Sequence, residues 1–303
     1  MTQSLQFSCP AKVNLALSVG VPDSATGSGM HPIASWRVAV TFSDAMTLEK
    51  LDAGPSEFDL AFESDDATGQ PFGVVDWPLE KDLCFRAHAL LQQRAGHALP
   101  CRLRLRKKIP AGAGLGGGSS NAAATLVGLN RLFELGLDRA AMIDVSRKLG
   151  SDIAFFIGAA EREHSAIVTG IGEQLEAAPR RDTIDFVLIF PPFGCPTGLV
   201  YKAFDDMARA TQSPDLARVR GLASSPLVAQ DAPFNDLAEP ACRVRPQLAE
   251  LRAQVAAALT LPVHITGSGS TLFVIAPSAL TAKVLARKVT ALTGLRAVST
   301  RSL

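Results

Sequence analysis

The 303-residue sequence predicts an α+β protein in two halves, and three observations carry that reading. Residues 101–109 read CRLRLRKKI, a strict alternation that fits a strand with one wet face. Ala122, Leu126, Leu129 and Phe133 fall at i, i+4, i+7 and i+11, which is one face of a helix. Beyond a more polar stretch at 159–181, an apolar strand at 186–190 (FVLIF) opens a second series of strand, helix, strands, helix and strand. The length suits two domains of ordinary size, with a boundary near 160–182.

Taken in order, residues 5–21 read as strands around Pro10, and 38–51, alternating and partly β-branched, as another strand pair. Residues 54–78 are rich in Gly, Pro, Asp and Ser and read as loop or hairpin. Helical spacing predicts a helix over 83–94. After the helix that follows the glycines, Asp138 can cap another that runs to Leu149 and stops at Gly150. In the second half, 213–231 reads as loop and 235–259 as largely helical. A strand pair surrounds GSGS at 263–276, a last helix covers 280–292, and 295–299 reads as a closing strand. Internal repeats and low-complexity tracts were not found.

Thirty Lys and Arg against 29 Asp and Glu leave a net charge of +1, which gives no electrostatic footprint for nucleic acid or anionic lipid. Cys9, Cys84, Cys101, Cys195 and Cys242 are odd in number, scattered and without CxxC spacing, so reduced thiols are expected rather than a disulfide framework or a zinc site. No stretch is long and apolar enough to span a bilayer, and the first residues show no signal peptide, so a soluble, cytoplasmic protein is expected.

The segment KKIPAGAGLGGGSSNAAATLVGLN at 107–130 holds five glycines within seven positions, Gly112 to Gly118. A Walker A loop would need lysine where Gly118 stands. Gly112, Gly114 and Gly117 match G-x-G-x-x-G, but a dinucleotide fold would place an apolar parallel strand before them, and CRLRLRKK is more than half charged. The third reading is a phosphate cradle. Glycines let backbone N–H groups approach an anion, the helix start beyond adds unpaired donors and a positive dipole end, and Ser119, Ser120 and Asn121 add side-chain donors where an N-cap would sit. Lys107 or Lys108 would add charge nearby.

IPAGAGLGGGSSNAA resembles the ATP-binding loop of the GHMP kinases, the family of galactokinase, homoserine kinase, mevalonate kinase and phosphomevalonate kinase. Its triple-glycine form is similar to the branch of that family that phosphorylates the 2-hydroxyl of 4-diphosphocytidyl-2-C-methyl-D-erythritol in non-mevalonate isoprenoid synthesis. PAKVNLAL at 10–17, GSDIAFFIGA at 150–159, FNDLAEPA at 234–241 and ITGSGSTLFV at 265–274 also resemble that branch, in order along nearly the whole chain. The resemblance implies a two-domain GHMP kinase fold. Residues 1–165 would form a ribosomal-protein-S5-like, ATP-binding domain and 166–303 a ferredoxin-like domain.

It also implies roles. Pro110, Gly112, Gly114, Leu115, Gly116, Gly117, Gly118, Ser119, Ser120 and Asn121 would bind ATP. Lys12, otherwise read as a solvated edge residue, would stabilise a nearby carboxylate and the developing phosphoryl charge. Asp152, otherwise a helix cap, would be the general base that takes the proton of the substrate hydroxyl. Asn14, on the face of Lys12 by the period of two, would bond substrate. Gly267, Ser268 and Gly269, otherwise a hairpin turn, would border the substrate. Mg²⁺ would arrive with ATP, helped by Ser119 or Ser120, with no dedicated protein site. The expected partner is a small molecule, with no nucleic acid and no membrane, and a monomer and a homodimer are both open.

One segment departs from the pattern. A Gly-Tyr-His segment is expected to grip the cytidine, but the sequence reads GSGMHPIASW, with Met30 in the tyrosine's place and His31 present. Methionine offers no ring, and Trp36 is a candidate to supply one. The departure leaves two alternatives: a kinase of this fold acting on another alcohol, and a non-catalytic regulator that binds nucleotide or sugar.

Overall fold

The computed structural model describes residues 3–22, 29–64, 69–160, 163–179, 182–207 and 213–303. Two compact units emerge. The first comprises Met1–Ala11, Phe42–Ala111 and Gly116–Glu163, the second Lys12–Thr41, Gly112–Leu115 and His164–Leu303. The long strands β1 (Ser4–Val19) and β2 (Ile33–Lys50) contribute residues to both. β2 is one strand where the sequence suggested a pair over 38–51, because neither Gly nor Pro interrupts residues 33–50.

In the first unit, β3 (Glu57–Phe62) pairs parallel with β4 (Cys101–Lys107), and β4 pairs antiparallel with the end of β2. β3 lies in the stretch read as loop, where EFDLAF alternates among turn residues. The alternation in β4 is as expected. Cys101, Leu103, Leu105 and Lys107 are buried, while Arg102 and Arg106 reach Glu57 and Asp59 on β3. Among the described residues, four α-helices complete this unit. α1 (Leu83–Ala95) is capped by Asp82, whose carboxylate accepts from the Cys84 N–H, and closes at Gly96 in the left-handed region. α2 (Gly117–Leu132) follows the glycine loop and buries every residue from Ser120 to Leu129. α3 (Arg139–Ser146) is capped by Asp138 and is shorter than expected. The apolar α4 (Ile153–Ala160) packs against α2 and α3.

In the second unit, β5 (Ser165–Thr169) and β6 (Gln174–Ala177) form a hairpin turned by Gly170 and Gly172, both at positive φ, in the stretch read only as polar. β5 pairs with the first half of β2. A second sheet has the order β11-β7-β10-β9, from β7 (Asp185–Phe190), β9 (His264–Ile265), β10 (Leu272–Ala276) and β11 (Arg296–Arg301). Helices α5 (Thr197–Asp205), α6 (Leu216–Ser224), α7 (Ala238–Val244), α8 (Pro246–Leu259) and α9 (Ala279–Thr293) complete it, and the two-residue strand β8 (Phe234–Asn235) pairs parallel with β1. The helix expected over 235–259 is two helices, because Pro246 opens a new one and carries no N–H to continue α7. α6 lies in the stretch expected to be loop, because only Val219 and Ala223 face inward from it, too sparse a stripe for a helical pattern. Val187, Ile189, Val255, Leu259, Val274 and Val289 lie in this unit's core. Among the described residues no helix is long and apolar enough to cross a membrane.

All five cysteines are free thiols. Burial, aided by the Asp44 charge, pushes the Cys9 thiol up to about 12, and burial also raises Cys84 and Cys101. The stability this represents is whole below the ordinary thiol range. As pH rises through it, the unfolded chain releases a proton that the fold retains, so stability falls toward pH 12. Urea unfolding at pH 8 and pH 10 should therefore show a loss of which roughly 1 kcal/mol belongs to Cys9. Cys9→Ala should make that loss shallower; equal slopes in the two proteins would mean the fold does not hold this thiol protonated.

Candidate active site

In the second unit, Lys12 is buried at 3 % exposure, against the solvated-edge alternative. A buried ammonium must be met by acceptors. Its Nζ donates to Asn14 Oδ1 at 2.6 Å and to the carbonyl of Gly114, while its own N–H donates to Leu115 O at 2.9 Å. Asn14 is held from three sides. Its N–H donates to Thr266 Oγ1 at 3.0 Å, its Nδ2 to Ser35 Oγ at 2.7 Å, and its Oδ1 also accepts from Thr266 Oγ1. The glycines make this approach possible. A Cβ on Gly114, at φ +75°, would lie 2.4 Å from Thr266 O, and one on Gly267, at φ +58°, 2.9 Å from both Gly114 O and Lys12 Nζ. Asn235, from the FNDLAEPA segment, holds the second glycine loop by donating to Ile265 O and Gly267 O, each at 2.8 Å. Ser268 shares a hydrogen bond with Thr197 at 3.0 Å. The structure thus brings Lys12, Asn14, Gly112–Leu115 and the loop of Gly267, Ser268 and Gly269 together within one unit.

In the first unit, α2 begins differently from the expected serine cap. Its N-cap is Gly116, in the left-handed region at φ +71°, with no side-chain capping bond, so Ser119, Ser120 and Asn121 lie inside the helix. The Ser120 N–H donates to Gly116 O as the first helical bond, which leaves the N–H groups of Gly117, Gly118 and Ser119 at the positions without a helical acceptor. An uncapped helix end with a positive dipole is what bound phosphate oxygens require, and these residues fit the triphosphate of a nucleotide. Gly117 is obligatory for another reason: a Cβ there would lie 2.7 Å from Ile109 Cγ2, just before Pro110. Asn121 and Ser120 are almost wholly buried, and Ser119 is half-buried. The Asn121 side chain faces inward to Lys107 and Asp44. Lys107 is likewise not free for a phosphate, because it forms a buried ion pair with Asp44 at 2.8 Å, and Lys108 pairs with Glu63 at 3.1 Å. Asp152, half-buried, immediately precedes α4.

His31 is in the second unit, its side chain 8 % exposed and its Nε2 2.7 Å from Asp205 Oδ1. Its ring lies 4.7 Å from that of Tyr201, the chain's one tyrosine, and 5.9 Å from Phe204. Tyr201, Phe204 and Asp205 fall at i, i+3 and i+4 on α5, so one helix face meets the histidine. Met30 is 45 % exposed. Trp36 does not supply the missing ring: it is fully buried on β2, where its Nε1 donates to Ser165 Oγ at 3.0 Å.

The sequence model described as the GHMP kinases N terminal domain matches residues 82–159. The chain is 34 % identical to the 4-diphosphocytidyl-2-C-methyl-D-erythritol kinase of Symbiobacterium thermophilum over 90 % of its own length and 91 % of the relative's. It is 36 % identical to the protein of that name from Caulobacter vibrioides, strain NA1000 / CB15N, over 92 % of each. The chain belongs to the 4-diphosphocytidyl-2-C-methyl-D-erythritol kinase family. A crystal structure of 4-(cytidine 5'-diphospho)-2C-methyl-D-erythritol kinase superposes with a TM-score of 0.74 at 28 % identity, covering 99 % of this chain and 100 % of that one. The two-domain GHMP kinase fold expected from the sequence is the fold of this kinase family.

Within the kinase family frame, several site residues escaped the sequence reading. Thr266 and Ser35 hold Asn14, Asp44 holds Lys107, and Tyr201 with Asp205 hold His31. One signal was present: the alternation of CRLRLRK puts Lys107 on the same inward face as Leu103 and Leu105.

Gly114→Ala tests the close approach. Positive φ together with two backbone oxygens in the way should cost roughly 1–3 kcal/mol. Thermal melting should fall and kinase activity should be lost together. Wild-type melting and activity would mean that the Lys12 contact does not need bare backbone here.

Proposed function

We infer that this chain is an ATP-dependent kinase that phosphorylates the 2-hydroxyl of 4-diphosphocytidyl-2-C-methyl-D-erythritol, a step of isoprenoid precursor synthesis. The observation that supports it most directly is the buried Lys12 tethered to the glycine loop at Gly114, in a chain whose named relatives match over nine-tenths of its length. ATP supplies the phosphoryl group. The backbone donors at Gly112 to Ser119 hold its phosphates, with Pro110 leading into the loop. Lys12 offsets the charge that develops on the transferred group. Asp152 accepts the proton of the substrate hydroxyl. Mg²⁺ accompanies the phosphates, and Ser119 is the hydroxyl placed to reach it, since Ser120 is only 2 % exposed. Functionally we divide the chain into an ATP-binding part at 1–165 and a remainder at 166–303, and Gly267, Ser268, Gly269 and Asn14 border the substrate.

We assign the base-holding role to His31 and Tyr201 rather than to Met30. Asp205 orients the imidazole, and the Tyr201 ring beside it offers the π-face that methionine lacks.

Release of ADP from Mg-ATP by purified protein, with and without the cytidylated alcohol, checks the reaction. Strong substrate-dependent release is expected. ATP binding without release would favour a GHMP kinase for another alcohol, and loss of neither ATP binding nor phosphorylation in Asp152→Asn would remove the general base. The expected effect of Asp152→Asn is a fall in kcat of roughly 10²- to 10⁴-fold.

Tyr201→Ala should raise the KM for the cytidylated substrate roughly tenfold, in line with one lost stacking contact of about 1–2 kcal/mol. The KM for ATP should stay where it is. If Tyr201→Ala leaves both constants unchanged, the base is held by other groups.

A further inference from the structure

The first unit contains a charged cluster that the phosphoryl transfer chemistry does not use. Asp44 is fully buried on β2, and Lys107, at the end of β4, is 4 % exposed. The antiparallel register that opposes Ala45 to Arg106 brings these two residues opposite one another one step further on. Each oxygen of the Asp44 carboxylate accepts two hydrogen bonds. Its Oδ2 accepts from Lys107 Nζ at 2.8 Å and from Asn121 Nδ2 at 2.9 Å. Its Oδ1 accepts from the N–H groups of Lys108 at 2.7 Å and Ile109 at 2.8 Å. Lys107 Nζ also donates to Asn121 Oδ1 at 2.7 Å.

Two supports for α2 result. Asp44 fixes the peptide groups on which Ile109 rides, and the Ile109 side chain sits where Gly117 has no Cβ. Asp44 and Lys107 together grip Asn121, four residues later on the same helix face. The supports lie one helical turn apart at the end of α2 whose N–H groups are bare.

A buried ion pair is poor evidence of stability, since apolar residues of similar volume often do as well in its place. What this one supplies is direction: five charge-assisted bonds of fixed geometry between a strand, a strand exit and a helix start. We propose that Asp44, Lys107 and Asn121 are positioning residues that set the first turn of α2 for phosphate binding. The proposal rests on the reading of this helix start as the ATP site.

Three proteins test it beside the wild type, each assayed for melting, Mg-ATP affinity by calorimetry, and KM for ATP and for the alcohol. The double variant Asp44→Leu with Lys107→Met replaces the pair by apolar volume. Asn121→Ala, which keeps the ion pair and installs the best helix former, serves if the double variant does not fold. Ser119→Asp is the control: a carboxylate in the first turn suits the helix dipole but repels phosphate. For the folded cluster variants, the expectation is cooperative melting, an ATP Kd and KM raised roughly 10- to 100-fold, and an alcohol KM within about twofold of wild type. If both cluster variants bind ATP as wild type does while Ser119→Asp loses it, the positioning role is wrong and the ATP site stands. If Ser119→Asp binds ATP like the wild type, or the wild type does not bind it, the site reading fails and the proposal with it. A rise in both KM values together would also overturn it, as a general loosening of the fold.

Discussion

The constraint on which the first unit turns is a helix that begins without a cap. Most helices satisfy their first N–H groups with a side chain from the N-cap, and the two neighbours of α2 do so through Asp82 and Asp138. At α2 the corresponding residue is Gly116 in the left-handed region, which contributes nothing. The donors at Gly117, Gly118 and Ser119 are left without a helical acceptor, and the helix forgoes the roughly 1 kcal/mol that a cap supplies. Something else must hold that end in place. The near-complete burial of Ser120 to Leu129, the Ile109 contact under Gly117 and the Asp44 cluster are what the structure puts there.

The second unit solves a related problem with the opposite sign. Lys12 carries a charge into a nearly dry position, where an ammonium without acceptors would shed its proton or unfold its surroundings. Asn14 Oδ1 and the Gly114 carbonyl meet it. Asn14 can do so only because Thr266 and Ser35 fix the amide with its oxygen toward the lysine. Two of the positive-φ glycines in the two loops serve this approach: at Gly114 and Gly267 side chains would collide with the backbone or with Lys12 Nζ itself. Within Gly112 to Gly118 the glycines are therefore constrained for different reasons: Gly114 by the backbone of the second glycine loop, Gly117 by the Ile109 side chain.

How much of this the sequence discloses depends on the range of the interaction. The strand at 101–107, the Asp138 cap and the glycine loop before α2 rest on neighbours a few residues apart, and their patterns are local. The two-residue strand β8 and the sparse helix α6 leave too little periodicity to read. The side chains that hold the functional groups are remote from them. Asp44 lies 63 positions from Lys107, and Thr266 lies 252 from Asn14. Trp36 shows the same limit from the other direction. Five residues beyond His31 in sequence, it is on a strand whose first eight positions are all buried, and proximity along the chain gave it a role that its burial forbids.

The exchange of tyrosine for Met30 is understandable in these terms. Tyr201 is instead mounted on α5, four residues before Asp205, which bonds the histidine, and three before Phe204, which flanks it. One helix thus carries both the carboxylate that orients the imidazole and the aromatic face beside it. Met30, at 45 % exposure, is less confined. The helix face, by contrast, admits little change: shifting its register by one residue would separate the carboxylate from the imidazole and the ring from its neighbour in a single step.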